Sequence, residues 1–172
     1  MNTQTLIKII GTVFLYLFIQ LFVVRNLVFF DLAFCFVYIS VILFLPNNIS
    51  ISALLLIAFL IGLLVDMFYN TAGIHASACL FIAFLRSYIL KILFPTRGLE
   101  TELVISVDGM GMERFIRYVI IMTFIHHSFL FFVEAGSFHF FLNTSLKIVG
   151  SVLFTSLVIF LFHIYFKSLQ NS

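Results

Sequence analysis

The chain has 172 residues, of which 63% are hydrophobic and 9% are charged, and its formal net charge is +2. Ordinary soluble domains contain about 25% charged residues, so this composition excludes a water-soluble globular protein and predicts an integral membrane protein. The apolar runs lack the period-two alternation of membrane β-barrel strands, which favours an all-α protein. We expect the lipid bilayer as the surrounding medium and no nucleic-acid partner.

Six apolar runs predict a bundle of six transmembrane helices within one domain, 1–172. An α-helix needs about 20 apolar residues to cross about 30 Å of hydrocarbon. The predicted spans are about 6–24, 29–45, 51–69, 74–94, 115–133 and 146–166. The second run is short and Ser50 is a thin start signal for the third, which leaves open one tight helical hairpin in place of these two spans. The first run is too long for a signal-peptide core and has no small-residue cleavage site, so we expect it to be retained.

The positive charges of the short loops predict the orientation. With six spans, one side of the membrane collects Lys8, Lys91, Arg97, Arg114, Arg117 and Lys167, and the other side has Arg25 and Lys147. Both termini are therefore expected in the cytoplasm. Arg86 lies inside the fourth span, roughly 13 Å from Pro95, and is expected to snorkel to the cytoplasmic headgroups.

The hydrophilic loop 95–113 is expected on the cytoplasmic side. Loops of this length are commonly functional or disordered, and the sequence leaves open whether this one contacts a partner or only separates two helices. Two cysteines, Cys35 and Cys79, fall inside predicted spans, where they are expected to act as packing residues. Neither a disulfide nor a metal site is predicted from them.

The most informative polar interruption is the run from Gly62 to Ala76 between two apolar segments. Asp66 lies near the outer end of the third span, just before a turn that contains Gly73. A carboxylate in this place is expected to bind the amides of the turn. The alternative interpretation is that Asp66 pairs with a cation or polar group on another helix or another protein.

The fourth span carries one polar stripe, because His75, Cys79, Ile82 and Arg86 share a face at 100° per residue. We expect this face to point at protein and not at lipid. In the fifth span, His126 and His127 lie close to the bilayer midplane, and adjacent residues cannot chelate one metal ion as an i, i+4 pair would. A hydrogen-bonded interior interface is the favoured interpretation and a proton relay is the alternative. Glu134 ends the same span.

No catalytic motif is recognisable in the sequence. Ser-His-Asp spacing, a P-loop, an HExxH motif and repeated carboxylate motifs are all missing, so we expect no enzymatic activity, no cofactor and no bound metal. The intramembrane polar residues are then candidates for structural roles or partner interfaces. These candidates are Gly62, Asp66, Gly73, His75, Arg86, His126, His127 and Glu134.

Three motifs in order carry a family resemblance. They are GLLVD (62–66) with NTAGIHA (70–76), IAFLR (82–86), and the pair His126-His127 followed by FFVE (131–134). With the length and the predicted span count, they resemble the MreD family of rod-shape-determining proteins in its Bacteroidota-type form. The similarity covers most of the chain, whereas the first span and the loop after Pro95 contribute little to it.

The resemblance implies a non-enzymatic membrane scaffold subunit of the bacterial cell-elongation machinery in the inner membrane, with a role in cell shape and peptidoglycan synthesis. It implies as partners an MreC-like bitopic protein, a RodA-like glycosyltransferase, a class B penicillin-binding transpeptidase and, across the membrane, the MreB filament. It also implies a six-helix bundle similar to the substrate-binding subunits of energy-coupling-factor transporters. A small-molecule-binding subunit of a transporter is the alternative function that this fold suggests.

Overall fold

The computed structural model describes residues 3–94, 104–137 and 141–170, and these residues are mainly helical. The elements in chain order are α1 (Thr3–Phe18), a π-helix (Ile19–Val24), β1 (Val28–Phe29), β2 (Ala33–Phe34), α2 (Ile39–Phe44), α3 (Ile51–Tyr69), α4 (Ile74–Leu93), α5 (Val107–Met110), α6 (Met112–Ala135) and α7 (Phe141–Gln170). The predicted loop 95–113 is described only from residue 104. Its first part, with Arg97, lies outside the described residues.

Among the described residues, four helices are long and apolar enough to cross a membrane, which confirms the helical membrane class. They are α3, α4, α6 and the Phe141–Tyr165 part of α7. The π-helix continues α1, and the apolar helix Ile10–Val24 is shorter than these four. The predicted third span agrees with α3, which begins at Ile51, and Ser50 is its N-cap residue, whose hydroxyl accepts a hydrogen bond from the Ala53 amide at 3.3 Å.

The segment predicted as the second spanning helix, 29–45, is not a continuous helix. It contains a two-stranded antiparallel hairpin in which Phe29 pairs with Ala33, followed by the six-residue helix α2. The hairpin turn uses positive φ angles at Phe30 (52°) and Asp31 (56°). Side chains of other helices bind the backbone that follows, and these contacts replace the hydrogen bonds of a continuous helix.

Residues 32–45, called the central segment below, pass through the middle of the bundle. Val37, Tyr38, Ile39 and Leu43 have no exposed surface. α2 packs against α1, α3, α4 and α6, and β2 packs against α7. Non-helical backbone at membrane depth is tolerated only where protein encloses it and satisfies its polar groups. The enclosure by these five helices explains how a broken segment is accommodated in so apolar a chain.

Candidate functional site: a capped helix corner and a buried polar network

The turn between α3 and α4 is held by the carboxylate of Asp66. Its Oδ2 accepts the backbone N–H of Ala76 at 2.9 Å, and its Oδ1 accepts the backbone N–H of His75 at 3.0 Å and the hydroxyl of Thr71. The first amides of a helix have no partner inside the helix, and the N-cap residue of α4, Gly73, has no side chain to serve them. Asp66 therefore caps α4 from the preceding helix and places a negative charge at its positive end.

Glycine permits the close approach that this cap requires. A Cβ atom on Gly62, one turn before the carboxylate, would lie 2.6 Å from the Ala76 nitrogen and 2.7 Å from the His75 oxygen. The turn itself uses left-handed backbone at Asn70 (φ 57°) and at Gly73 (φ 83°). These residues form one unit, called the corner below: Gly62, Asp66, Thr71, Gly73, His75 and Ala76.

The imidazole of His75 joins the corner to the aromatic core. Its Nδ1 lies 3.1 Å from Asp66 Oδ1 and 3.1 Å from Thr71 Oγ1. An ionised carboxylate only accepts hydrogen bonds, so Nδ1 carries the proton in this contact. The ring centroids of Phe36 and Tyr69 lie 5.6 and 5.1 Å from that of His75, which is 3% exposed. The Asp66–His75 contact is therefore enclosed by aromatic rings at the start of the central segment.

His126 and His127 are both fully buried and belong to a hydrogen-bonded chain. The Tyr38 hydroxyl lies 2.9 Å from His126 Nε2, and the two Nδ1 atoms of the histidines lie 3.4 Å apart. His127 Nε2 lies 3.1 Å from Thr155 Oγ1 on α7. The chain thus connects the central segment, α6 and α7.

Polar side chains that the sequence analysis did not single out bind the backbone of the central segment. The Thr155 hydroxyl accepts the Phe36 N–H at 3.1 Å and donates to the Phe34 carbonyl at 3.3 Å. Ser151, one turn earlier, accepts the Phe34 N–H at 2.9 Å and donates to the Leu32 carbonyl at 3.4 Å. The sequence signal for this role is the i, i+4 spacing of two hydroxyl residues in an apolar helix.

Gln20 of the π-helix also binds the backbone of the central segment. Its Nε2 donates to the Cys35 carbonyl at 3.1 Å and to the Tyr69 hydroxyl at 2.8 Å, and its Oε1 accepts the Tyr38 N–H at 3.4 Å. Gln20 is fully buried. The sequence signal for this role is a single amide side chain inside the first apolar run. π-Helical turns are frequent at functional positions.

The predicted snorkelling of Arg86 is wrong. Arg86 is 2% exposed, and its guanidinium donates to the Leu45 carbonyl just beyond the end of α2. The Tyr118 hydroxyl donates to the Leu43 carbonyl at 3.0 Å. The carbonyl end of a helix carries partial negative charge, so a buried cation finds a favourable partner there without reaching the headgroups.

The predicted protein-facing stripe of α4 is confirmed, because His75, Cys79, Ile82 and Arg86 are each at most 3% exposed. Glu134, in contrast, is exposed near the end of α6, and its carboxylate interacts with His75 through its charge. Within residues 3–94, 104–137 and 141–170, no group of three or more His, Cys, Asp or Glu side chains could hold a metal ion. The polar groups brought together here act mainly on backbone amides and carbonyls, which is the chemistry of structural stabilisation.

The chain matches no protein-family model, no curated protein and no solved structure.

Proposed function

We propose that the protein is a non-enzymatic scaffold subunit of the bacterial cell-elongation machinery, which helps to determine cell shape by organising peptidoglycan synthesis. In this proposal it crosses the inner membrane six times, with both termini in the cytoplasm. The first crossing is Ile10–Val24 with the residues before it, and the second is the central segment. The proposed bundle is similar to the substrate-binding subunits of energy-coupling-factor transporters.

The corner is the observation that carries this proposal. Gly62, Asp66, Gly73 and His75 belong to the motif on which the resemblance to the MreD family depends, and all four have an architectural use here. The carboxylate serves two amides, a hydroxyl and an imidazole. A motif whose polar atoms fix the geometry of two helices supports a scaffold better than it supports a reaction centre.

The proposed partners are an MreC-like bitopic protein, a RodA-like glycosyltransferase, a class B penicillin-binding transpeptidase and the MreB filament. To test them, the full-length tagged chain is crosslinked in cells of its source bacterium and purified in a mild detergent. We expect the MreC-like and RodA-like proteins to be recovered. An unrelated multi-pass protein of the same membrane, tagged and treated identically, is the control.

Depletion provides the second test. Because a scaffold of elongation is needed for cylindrical wall growth, cells depleted of the protein are expected to become round. Unchanged cell shape on depletion, together with the failure to recover either partner, would overturn the proposal. In the genome, we expect the gene for this protein to lie beside the gene for an MreC-like protein.

One observation favours the second candidate function, a small-molecule-binding subunit of a transporter. An open cleft of about 790 Å³ lies between α1, α5 and α7, and its polar lining residues are Thr12, Tyr16, Ser106, Asp108 and His163. Ligand pockets commonly have volumes of about 300–1,000 Å³. Thermal-shift measurements with vitamins on the purified protein distinguish the two functions, since a saturable response at micromolar concentration would favour the transporter subunit.

A further inference from the structure

The tautomers of His126 and His127 follow from a count of the hydrogen-bond donors and acceptors of their rings. A neutral imidazole has one N–H donor and one acceptor nitrogen. His126 and His127 face each other through their Nδ1 atoms, 3.4 Å apart, and both rings are fully buried. A hydrogen bond between two Nδ1 atoms requires a proton on one of them and a lone pair on the other. Two neutral rings in this arrangement must therefore be opposite tautomers.

The direction of the hydrogen bonds along this series of side chains is set at Thr155. Its Oγ1 lies 3.3 Å from the Phe34 carbonyl oxygen, which can only accept a hydrogen bond, and the same Oγ1 also accepts the Phe36 N–H. With the hydroxyl proton given to Phe34, the contact from His127 Nε2 to Thr155 Oγ1 has to be made by an N–H of the ring. His127 then carries its proton on Nε2, and its Nδ1 is an acceptor.

The remaining positions follow in order. His126 carries its proton on Nδ1 and donates it to His127, which leaves His126 Nε2 to accept the hydroxyl of Tyr38 at 2.9 Å. We propose that Tyr38, His126, His127 and Thr155 form a one-way hydrogen-bond relay with His126 as the Nδ1–H tautomer and His127 as the Nε2–H tautomer. The relay transmits the position of α7 to α6 and to the central segment. It rests on no assumption about the scaffold function.

The relay ends on a peptide carbonyl, and this makes it a positioning device and not a proton path. An amide oxygen accepts a hydrogen bond but does not take the proton onward, so a proton entering at Tyr38 would have no exit beyond Thr155. The competing order places the His127 proton on Nδ1, and the His127 ring also has a backbone hydrogen bond with Thr123. That order would take the Thr155 hydroxyl proton away from the Phe34 carbonyl, whereas the proposed order keeps this hydrogen bond.

Nuclear magnetic resonance of the full-length protein, labelled with ¹⁵N in histidine and reconstituted in lipid, tests the relay. The ¹⁵N shifts distinguish a protonated from an unprotonated ring nitrogen, and His126→Gln and His127→Gln variants assign the signals. We expect protonated Nδ1 in His126 and protonated Nε2 in His127 at neutral pH. The same tautomer in both rings, the reverse order, or an imidazolium in either position would overturn the proposal.

The Thr155→Val variant tests whether the tautomers of the two histidines are coupled. If Thr155 affected only its direct partner, the tautomer of His126 would not change. Loss of the acceptor hydroxyl removes the partner of the His127 Nε2–H, so we expect His127 to switch to the Nδ1–H tautomer. His126, whose hydrogen bonds are to Tyr38 and His127 and not to Thr155, is expected to switch with it. Thr155→Ser keeps the hydroxyl and is expected to leave both tautomers unchanged. A His126 signal that stays constant in Thr155→Val while His127 switches contradicts the relay, and the wild-type spectrum decides the matter if Thr155→Val does not fold.

Discussion

Asp66 and Ala76 are joined across the turn between α3 and α4, because Oδ2 of the carboxylate accepts the Ala76 N–H at 2.9 Å. The contact is buried, and it replaces the cap that Gly73 cannot provide. Asp66 is in this sense the N-cap side chain of a helix that begins several residues later. The relationship makes the stability of α4 depend on a residue of α3.

Asp66→Ala is therefore expected to destabilise the protein. The change removes a helix cap and leaves the amides of His75 and Ala76 without their acceptor, so the free energy of unfolding should fall by about 2–4 kcal/mol. Denaturant titration of the protein in mixed micelles measures this difference. Glu134→Ala removes an exposed carboxylate and is expected to change the free energy by less than about 0.5 kcal/mol. Equal effects of the two substitutions would contradict the capping role.

Gly62→Ala is expected to force α3 and α4 apart. The added methyl group would overlap the backbone of Ala76, which has no flexible side chain that could move away, and overpacking of this kind costs about 1–3 kcal/mol. Gly11→Ala is the matched control, since no atom outside its own helix backbone lies within 4 Å of its Cβ position and alanine favours a helix interior. We expect the midpoint temperature of thermal denaturation to be lower for Gly62→Ala and unchanged or higher for Gly11→Ala. A neutral Gly62→Ala result would show that the helices are not in close contact.

The four long helices could be predicted from the sequence because apolar runs of that length satisfy their backbone in lipid only as helices. The central segment could not be predicted in this way. Its irregular backbone depends on Gln20, Ser151 and Thr155, which lie far from it in sequence, and on a hairpin turn that contains no glycine. The error on Arg86 has a similar origin, since its partner is the carbonyl of Leu45, 41 residues earlier, and a contact between two distant elements cannot be inferred from spacing along one helix.

In the candidate site, too, some contacts could be predicted from the sequence and others could not. Residue type and turn position indicated that Asp66 binds backbone amides, since the carboxylate and the turn are close in sequence. Which elements His126 and His127 connect could not be inferred, because Tyr38 and Thr155 reach them only through the tertiary fold. Local contacts were thus accessible to sequence analysis, and contacts between distant elements were not.

Tyr118→Phe tests the anchoring of α2. The substitution keeps the ring and removes only the hydroxyl that donates to the Leu43 carbonyl, so we expect a loss of about 0.5–1.5 kcal/mol in the free energy of unfolding. Tyr88→Phe removes the hydroxyl of an exposed tyrosine on α4 and should have almost no effect. The same denaturant titration compares the two variants. If Tyr88→Phe costs as much as Tyr118→Phe, burial of the hydroxyl is not the reason for the loss.

Gln20 and Tyr69 provide a test of the π-helix. The Gln20 amide donates to the Tyr69 hydroxyl at 2.8 Å while it also binds the Cys35 carbonyl at 3.1 Å. Gln20→Met keeps the length of the side chain and removes all of these bonds, whereas Tyr69→Phe removes only one. We expect the single variants to be destabilised and the double variant to lose less than their sum, with a coupling energy of about 0.5–1.5 kcal/mol from a double-mutant cycle of unfolding free energies. Strict additivity would mean that the π-helix does not position Gln20 against Tyr69. Gln20→Met should lower the free energy of unfolding more than Tyr69→Phe does, and the difference measures what the amide contributes to the central segment.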